Sequence, residues 1–340
     1  MTAPPAQAAR TRAGRGLRAG VANFWGKFAI RWQRKMKIRD FLSVQIERAY
    51  YPVIFRMRHP LGYKRLLAVY RESVDRLQSC CVDIPSVEKG WQPKLPLAIQ
   101  IHVFYLDLIS EFIADMQKIR IPYDLFISTD AEAKRKVIAD ELSSVPLSAR
   151  KIYLDVFENR GRDVYPFLAQ MHERFSKYGY IAHFHTKKSP YSGVGNFWRK
   201  TLMKSFFGKD GRFDGLLRFL EQNESFGLII PMVPKSRVLR WGYAATKADS
   251  WNDTAVRCEL EAVGVDASEF QLKNYEHSAG TMFIARTDAV WQIFSKAYVA
   301  ADFPDECGQR KHTLQHVIEL LWHPVCKANG YKLGVADSQV

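Results

Sequence analysis

An α/β fold, with a mostly parallel sheet flanked by helices, is what this 340-residue chain predicts. Three observations carry that expectation. Short apolar runs with strand character alternate with helix-like segments from about residue 97 onward, the pattern of a sheet covered on both faces. The apolar runs end in polar, charge-rich turns. A hydrophobic content of 47% suffices for one large domain with extensions, or for two small ones.

Taken in order, residues 40–90 read as helical, with Ile46, Tyr50 and Ile54 and then Leu66, Leu67, Tyr70, Val74 and Leu77 at helical spacing. Pro52 and Pro60 divide this stretch into short helices, and Pro93 and Pro96 mark the entry to the main domain. A strand is expected over 97–105, a helix over 109–119, a strand over 123–128 and a helix over 131–142. A third strand over 151–156 ends at a charged turn. A helix over 164–178 and a strand over 180–184 follow, with further strands over 227–231 and 281–285.

The expected organisation is a disordered basic arm over 1–20, a helical extension over 21–92, and a catalytic domain over 93–335. The formal charge is +15, and residues 1–39 hold ten Lys and Arg with no acid, leaving +5 (15 − 10) for the rest. Over 22–37, Phe24, Trp25, Phe28 and Trp32 gather on one helical face opposite Lys27, Arg31, Arg34 and Lys35. That pattern suits a helix lying on an anionic membrane surface. The plainer alternative is a helix packing its aromatics on the body. No recognition module accompanies the basic arm, so nucleic acid is not expected as a partner.

No apolar run reaches the roughly 18–20 residues of a membrane span. No uninterrupted apolar signal core is present, which points to an unexported, cytoplasmic protein. Five cysteines at irregular spacing predict no disulfide framework.

Two segments concentrate the chemistry. Glu158, Asn159, Arg160, Gly161, Arg162 and Asp163 form a charged turn before a helix. His185, Thr186, Lys187, Lys188 and Ser189 follow an apolar strand. Both would open on the crevice beyond the carboxyl ends of the strands. Cations beside two acids suit a phosphorylated ligand, with Asp163 or Glu158 on sugar hydroxyls. Free amides at the helix start add to this. The structural alternative makes Asp163 a helix cap and leaves the arginines in solvent. Gly280, with Thr281 after it, permits close backbone approach to a donor sugar. Trp198 and Arg199 would line an acceptor channel, or Trp198 would pack in the core. His312, His316, His323, Cys307 and Cys326 match no common zinc spacing, and no metal site is expected.

The ordered segments Ile101-His-Val-Phe-Tyr105, Tyr123-Asp-Leu-Phe126, the charged turn, His185-Thr-Lys-Lys-Ser189, Gly280-Thr-Met-Phe-Ile-Ala-Arg286 and Phe303-Pro-Asp-Glu306 resemble the rhamnan synthesis protein F family. These are bacterial glycosyltransferases that build rhamnose-containing surface polysaccharides. The resemblance runs from about residue 95 to about residue 332. The same order is more distantly similar to the GT-A nucleotide-sugar transferase fold. It implies a GT-A-like (Rossmann-like) body that moves a deoxyhexose, rhamnose, from dTDP- or GDP-rhamnose to a polyprenyl-linked glycan of the O-antigen type. A UDP-hexose donor and a non-catalytic membrane-binding scaffold are the rival readings.

Two departures bear on mechanism. His183-Phe-His185 stands where the GT-A fold carries a metal-binding Asp-x-Asp, so Lys187 and Lys188 are expected to neutralise the leaving diphosphate without a divalent metal, the alternative being an ion held by Glu158 and Asp163. Lys311-His312-Thr313-Leu314 stands where the family shows Asp-Gly-Thr-Leu, so the acid typical there is missing. The resemblance makes Glu306 or Asp305 the expected base, with His312 as a second candidate. The alternative roles are a loop cap for Asp305, a solvated charge for Glu306 and a structural histidine at 312.

Overall fold

The structure, a computed structural model, describes residues 60–186, 195–233, 237–278, 280–309 and 311–338. The arm over 1–20, the aromatic and basic stretch over 22–37, and Lys187, Lys188 and Ser189 lie outside the described residues.

Helix α1 spans Pro60–Ser79, β1 Leu97–His102, α2 Ile109–Met116, β2 Tyr123–Thr129, α3 Glu132–Ser143 and β3 Ala149–Val156. Then come α4 over Val164–Met171, β4 over Tyr180–His185, α5 over Gly195–Phe207, α6 over Arg212–Gln222 and β5 over Phe226–Pro231. The chain continues through α7 (Arg237–Ala248), α8 (Ser250–Ala262), β6 (Phe283–Arg286), α9 (Thr287–Ser295), α10 (Leu314–Ile318), α11 (Trp322–Ala328) and β7 (Lys332–Ala336). The sheet order is β3-β2-β1-β4-β6-β5-β7. All neighbours are parallel except β6, which runs antiparallel between β4 and β5. The mostly parallel α/β architecture is thus the expected one. The charged turn follows β3 and leads into α4, β4 comes next, and the segment from Gly280 to Arg286 ends in β6.

Every residue of β1, β2 and β4 is buried. Strands covered on both faces read as continuous apolar runs, which is why they were visible without alternation. Strand β3 lies at the edge of the described sheet and is half exposed. The core behind β4 and β6 is aromatic: Phe167, Phe283, Phe294 and Trp322 meet with ring centroids 4.4–6.0 Å apart.

Several expected boundaries move for local reasons. The strand expected over 281–285 starts at Phe283, because Gly280 (φ 83°) and Thr281 (φ 58°) are both left-handed. The helix expected over 164–178 ends at Met171, and a short 3-10 turn at Phe175–Lys177 leads into β4. The helical extension expected to reach residue 92 stops at Ser79. Beyond it, the Val82 amide donates to the Val335 carbonyl at 3.0 Å and the Val335 amide to Cys80 at 2.7 Å. The chain after α1 therefore runs beside β7 instead of continuing as helix. All five cysteines are free thiols.

Helix α1 is tied to the body by a buried polar cluster. Lys247 on α7 donates to Glu276 at 2.6 Å and to Ser73 on α1 at 2.9 Å. Arg76 on α1 donates to the same Glu276 carboxylate at 2.8 Å, and the Tyr243 hydroxyl donates to its other oxygen at 2.9 Å. A buried carboxylate satisfied by three side chains resists displacement, because breaking one contact leaves a charge unsolvated. Burial lowers the Lys247 amine to about 8 despite the pull of Glu276. Glu276 also donates its backbone amide to His323 Nδ1 at 2.9 Å, an arrangement that requires that nitrogen to be unprotonated.

The buried histidines set an acid limit. Burial holds His277 and His323 at about 3 and His102 at about 4, below the usual value near 6.5. The unfolded chain binds these protons first, so stability is complete above about pH 6.5 and falls as the pH drops from there. Urea unfolding at pH 7.5, 6.5 and 5.5 should show a falling midpoint, and His277→Gln should flatten part of the slope. A midpoint constant over that range would contradict neutral burial.

Candidate functional site

Strand β3 delivers the charged turn to the carboxyl end of the sheet, where the Phe157 amide donates to Thr129 at 2.8 Å. Arg160 then forms an antiparallel bridge with Asp305. Its guanidinium donates to the Phe303 carbonyl at 2.9 Å and to the Asp305 carboxylate, and lies 3.4 Å from Glu158. Gly161 (φ 61°) and Arg162 (φ 58°) are consecutive left-handed residues that turn the chain into α4. A Cβ on Gly161 would sit 2.6 Å from the Phe303 ring and 2.6 Å from Tyr165 Cβ, so glycine is required twice over.

Arg162, strained by its positive φ, is held by its own side chain. It donates to both oxygens of Glu306, at 3.1 and 3.3 Å, and to the Gln309 carbonyl. Its third nitrogen lies 3.2 Å from His316 Nε2. A strained residue costs roughly 1–3 kcal/mol, and this fork of charged contacts offsets it. The turn after β3 and the turn carrying Asp305 and Glu306 are therefore one unit. Asp305 is 70% exposed in its side chain and Glu306 20%. Asn159 is exposed.

Asp163 is not a helix cap. It stands at the N-cap position of α4, but its side chain makes no capping bond. Its carboxylate is buried, with one oxygen 3.7 Å from His183 Nε2 and 3.9 Å from His185 Nε2. His183 stacks on Phe167 at 4.1 Å, and its Nδ1 lies 2.7 Å from the Gln100 amide oxygen. Gln100 donates to Ser128 at 2.8 Å and to Gln170 at 3.0 Å, and Gln170 donates to Asp155 at 3.0 Å. His102 joins at Ser128, with Nδ1 2.9 Å from the hydroxyl. A polar chain thus crosses four parallel strands beneath the turn. Burial pushes the His183 imidazole down, opposed by Asp163, and takes His102 to about 4.

At the end of β4, His185 is buried and its Nε2 contacts the Gly280 carbonyl, so the Gly280–Thr281 bend meets the strand where the sequence placed it. The Thr186 hydroxyl accepts from the Phe104 and Tyr105 amides at 2.9 and 3.0 Å. Thr186 is fully buried and ties the β1 loop to β4, a different role from the donor contact expected of it. Thr281 is likewise fully buried.

Three expected residues sit elsewhere or point elsewhere. His312 is 2.9 Å from Asp249 and packs on Trp251 at 4.4 Å; the histidine that reaches the charged turn is His316. Arg199 is buried and donates to Glu111 at 2.8 Å, instead of facing an acceptor channel. Trp198 is half-buried against the main core, the alternative considered for it. Sequence reasoning missed Gln100, His102, Ser128, His183 and Gln170 as a network. The signal was polar residues inside otherwise apolar central strands, which need partners once buried.

Where an Asp-x-Asp would stand, two imidazoles flank one carboxylate, and one of those imidazoles is committed to Gln100. Among the described residues, no group of three His, Cys, Asp or Glu side chains is arranged to hold a metal.

Residues 40–331 match the family model described as rhamnan synthesis protein F. Two curated relatives, both named uncharacterized protein WxcX and both from Xanthomonas campestris pv. campestris (strains B100 and ATCC 33913), are each 29% identical over 265 residues. That alignment covers 76% of this chain and 34% of each relative, so the chain spans about a third of their length. Among solved structures, the mannosyltransferase PcManGT from Pyrobaculum calidifontis, in complex with GDP-Man and Mn2+, shares 9% identity at a TM-score of 0.36. It covers 74% of this chain and 58% of that one. The mannosyltransferase Ktr4p from S. cerevisiae shares 10% at 0.30, over 78% and 72% of the two chains.

Gly161 and Gly211 separate close approach from conformation. Both are left-handed, but a Cβ at Gly211 meets nothing within 4 Å. Gly211→Ala should cost roughly 1 kcal/mol, and Gly161→Ala roughly 1–3 kcal/mol more in urea unfolding. Equal costs would mean that Phe303 does not close on the turn.

Proposed function

Because the chain belongs to the rhamnan synthesis protein F family, we propose that it is a glycosyltransferase moving a deoxyhexose, rhamnose, from a nucleotide sugar to a growing bacterial surface glycan. The observation that carries this reading is the meeting of three segments at the carboxyl ends of parallel strands: the charged turn, the end of β4, and the turn bearing Asp305 and Glu306. Ligands of open α/β sheets sit at that end.

In the proposed step, an acceptor hydroxyl attacks the anomeric carbon and the bond from that carbon to the diphosphate oxygen breaks. The hydroxyl proton passes to a carboxylate, and the nucleoside diphosphate departs. Glu306 suits the base better than Asp305, since two guanidinium contacts fix its orientation. His312, engaged by Asp249, suits it least. Lys187 and Lys188, which follow Thr186 directly, would meet the diphosphate, with the Gly280–Thr281 bend beside the donor sugar. Inversion at the anomeric carbon follows from direct displacement. The donor is dTDP- or GDP-rhamnose and the acceptor a polyprenyl-linked glycan. Residues 1–39, which precede the family match, would hold the enzyme on the inner-membrane surface. Among the described residues, no helix is long and apolar enough to cross a membrane.

Thermal shift with dTDP, GDP and UDP tests the reading, since a bound nucleotide raises the midpoint by mass action. One of the three should stabilise the protein, and Glu306→Gln should keep that shift while lowering kcat by about 10²–10⁴. No shift with any nucleotide would leave a non-catalytic scaffold as the better account. Turnover should survive EDTA; loss restored by Mn²⁺ would refute the metal-free form of the proposal.

A further inference from the structure

At the far end of β4 from the site lies an open groove of about 340 Å³. Strand β4 begins there, where Tyr180 pairs with Arg286, and it reaches His185 roughly 17 Å away at about 3.3 Å per residue. The volume is within the range of about 300–1,000 Å³ usual for small-molecule sites. We propose that this groove is a second carbohydrate site, which holds a stretch of glycan remote from the point of transfer. The proposal rests on the reading of the chain as a glycan-handling enzyme.

The lining has the two chemistries a pyranose requires. Leu95, Phe175 and Trp291 supply apolar surface, and both Leu95 (46%) and Trp291 (45%) are exposed despite their size. Large apolar side chains left in water within one concavity mark a binding surface. An indole face accepts the C–H face of a sugar ring, and the methyl group of a deoxyhexose adds to the apolar contact. Polar groups stand at the rim. The exposed Asp288 carboxylate is oriented by the Tyr331 hydroxyl at 2.7 Å. Asp288 and Trp291 lie three residues apart on α9, so they share one helical face. The Arg286 guanidinium is fixed by the Phe226 carbonyl at 3.0 Å. Thr287 also lines the groove, and its buried hydroxyl has no hydrogen-bond partner among the described residues.

That combination selects among occupants. An acyl chain would bring apolar surface against the exposed Asp288 carboxylate and the Arg286 guanidinium at the rim. An anionic ligand would meet Asp288. A neutral polyol with one apolar face suits both the apolar floor and the polar rim.

The test is titration of the full chain with a rhamnose hexasaccharide, read by calorimetry in the presence of saturating dTDP and GDP. Wild type should bind. Trp291→Ala should weaken binding at least about tenfold with its unfolding midpoint unchanged, and Asp288→Asn by several fold. Both variants should transfer to a single-sugar acceptor at the wild-type rate while KM for a long acceptor rises. A wild-type protein that does not bind the hexasaccharide, or a Trp291→Ala variant that binds as wild type does, overturns the proposal. Binding that depends on Trp291 in a protein without transferase activity supports the groove and sinks the transferase reading. Transfer without such binding does the reverse.

Discussion

A carboxylate withdrawn from water has to be met by other polar groups, and the buried Asp163 imposes that requirement on the carboxyl end of the sheet. It sits where the chain enters α4, and the imidazoles of His183 and His185 approach it from the end of β4. The turn after β3 is thereby locked to a strand that is not its neighbour in the sheet. The two left-handed residues before Asp163 can persist only because both sides of the turn are held. Asp163 anchors one side. Arg160 and Arg162, clasping Asp305 and Glu306, anchor the other.

This arrangement has an electrostatic consequence. Two arginines of the turn face two acids of the opposing turn, so the charges balance within the protein. A guanidinium already bound by a carboxylate meets a diphosphate only by exchanging partners. The arginines thus serve first to orient the acids.

Much of the architecture was legible because buried parallel strands leave continuous apolar runs, as in Leu97–His102 and Tyr123–Thr129. The meeting of the charged turn with Asp305 and Glu306 could be anticipated only as an order of motifs, since 145 residues separate Arg160 from Asp305. Composition misled where a residue's partner lies far along the chain. Thr186 looked like a ligand contact, and its hydroxyl instead joins the β1 loop to β4. Arg199 looked available to an acceptor until α5 placed it against Glu111. Strand β7 and residues 80–82 beside it were invisible, because neither carries a periodic pattern.

The central claim is that three distant segments form one nucleotide-binding unit. Hydrogen–deuterium exchange with and without the stabilising nucleoside diphosphate addresses it directly. The account predicts new protection concentrated at residues 158–163, 183–189 and 303–309, with the amino end of β4 unchanged. Protection confined to other segments, or spread evenly over the sheet, would contradict it.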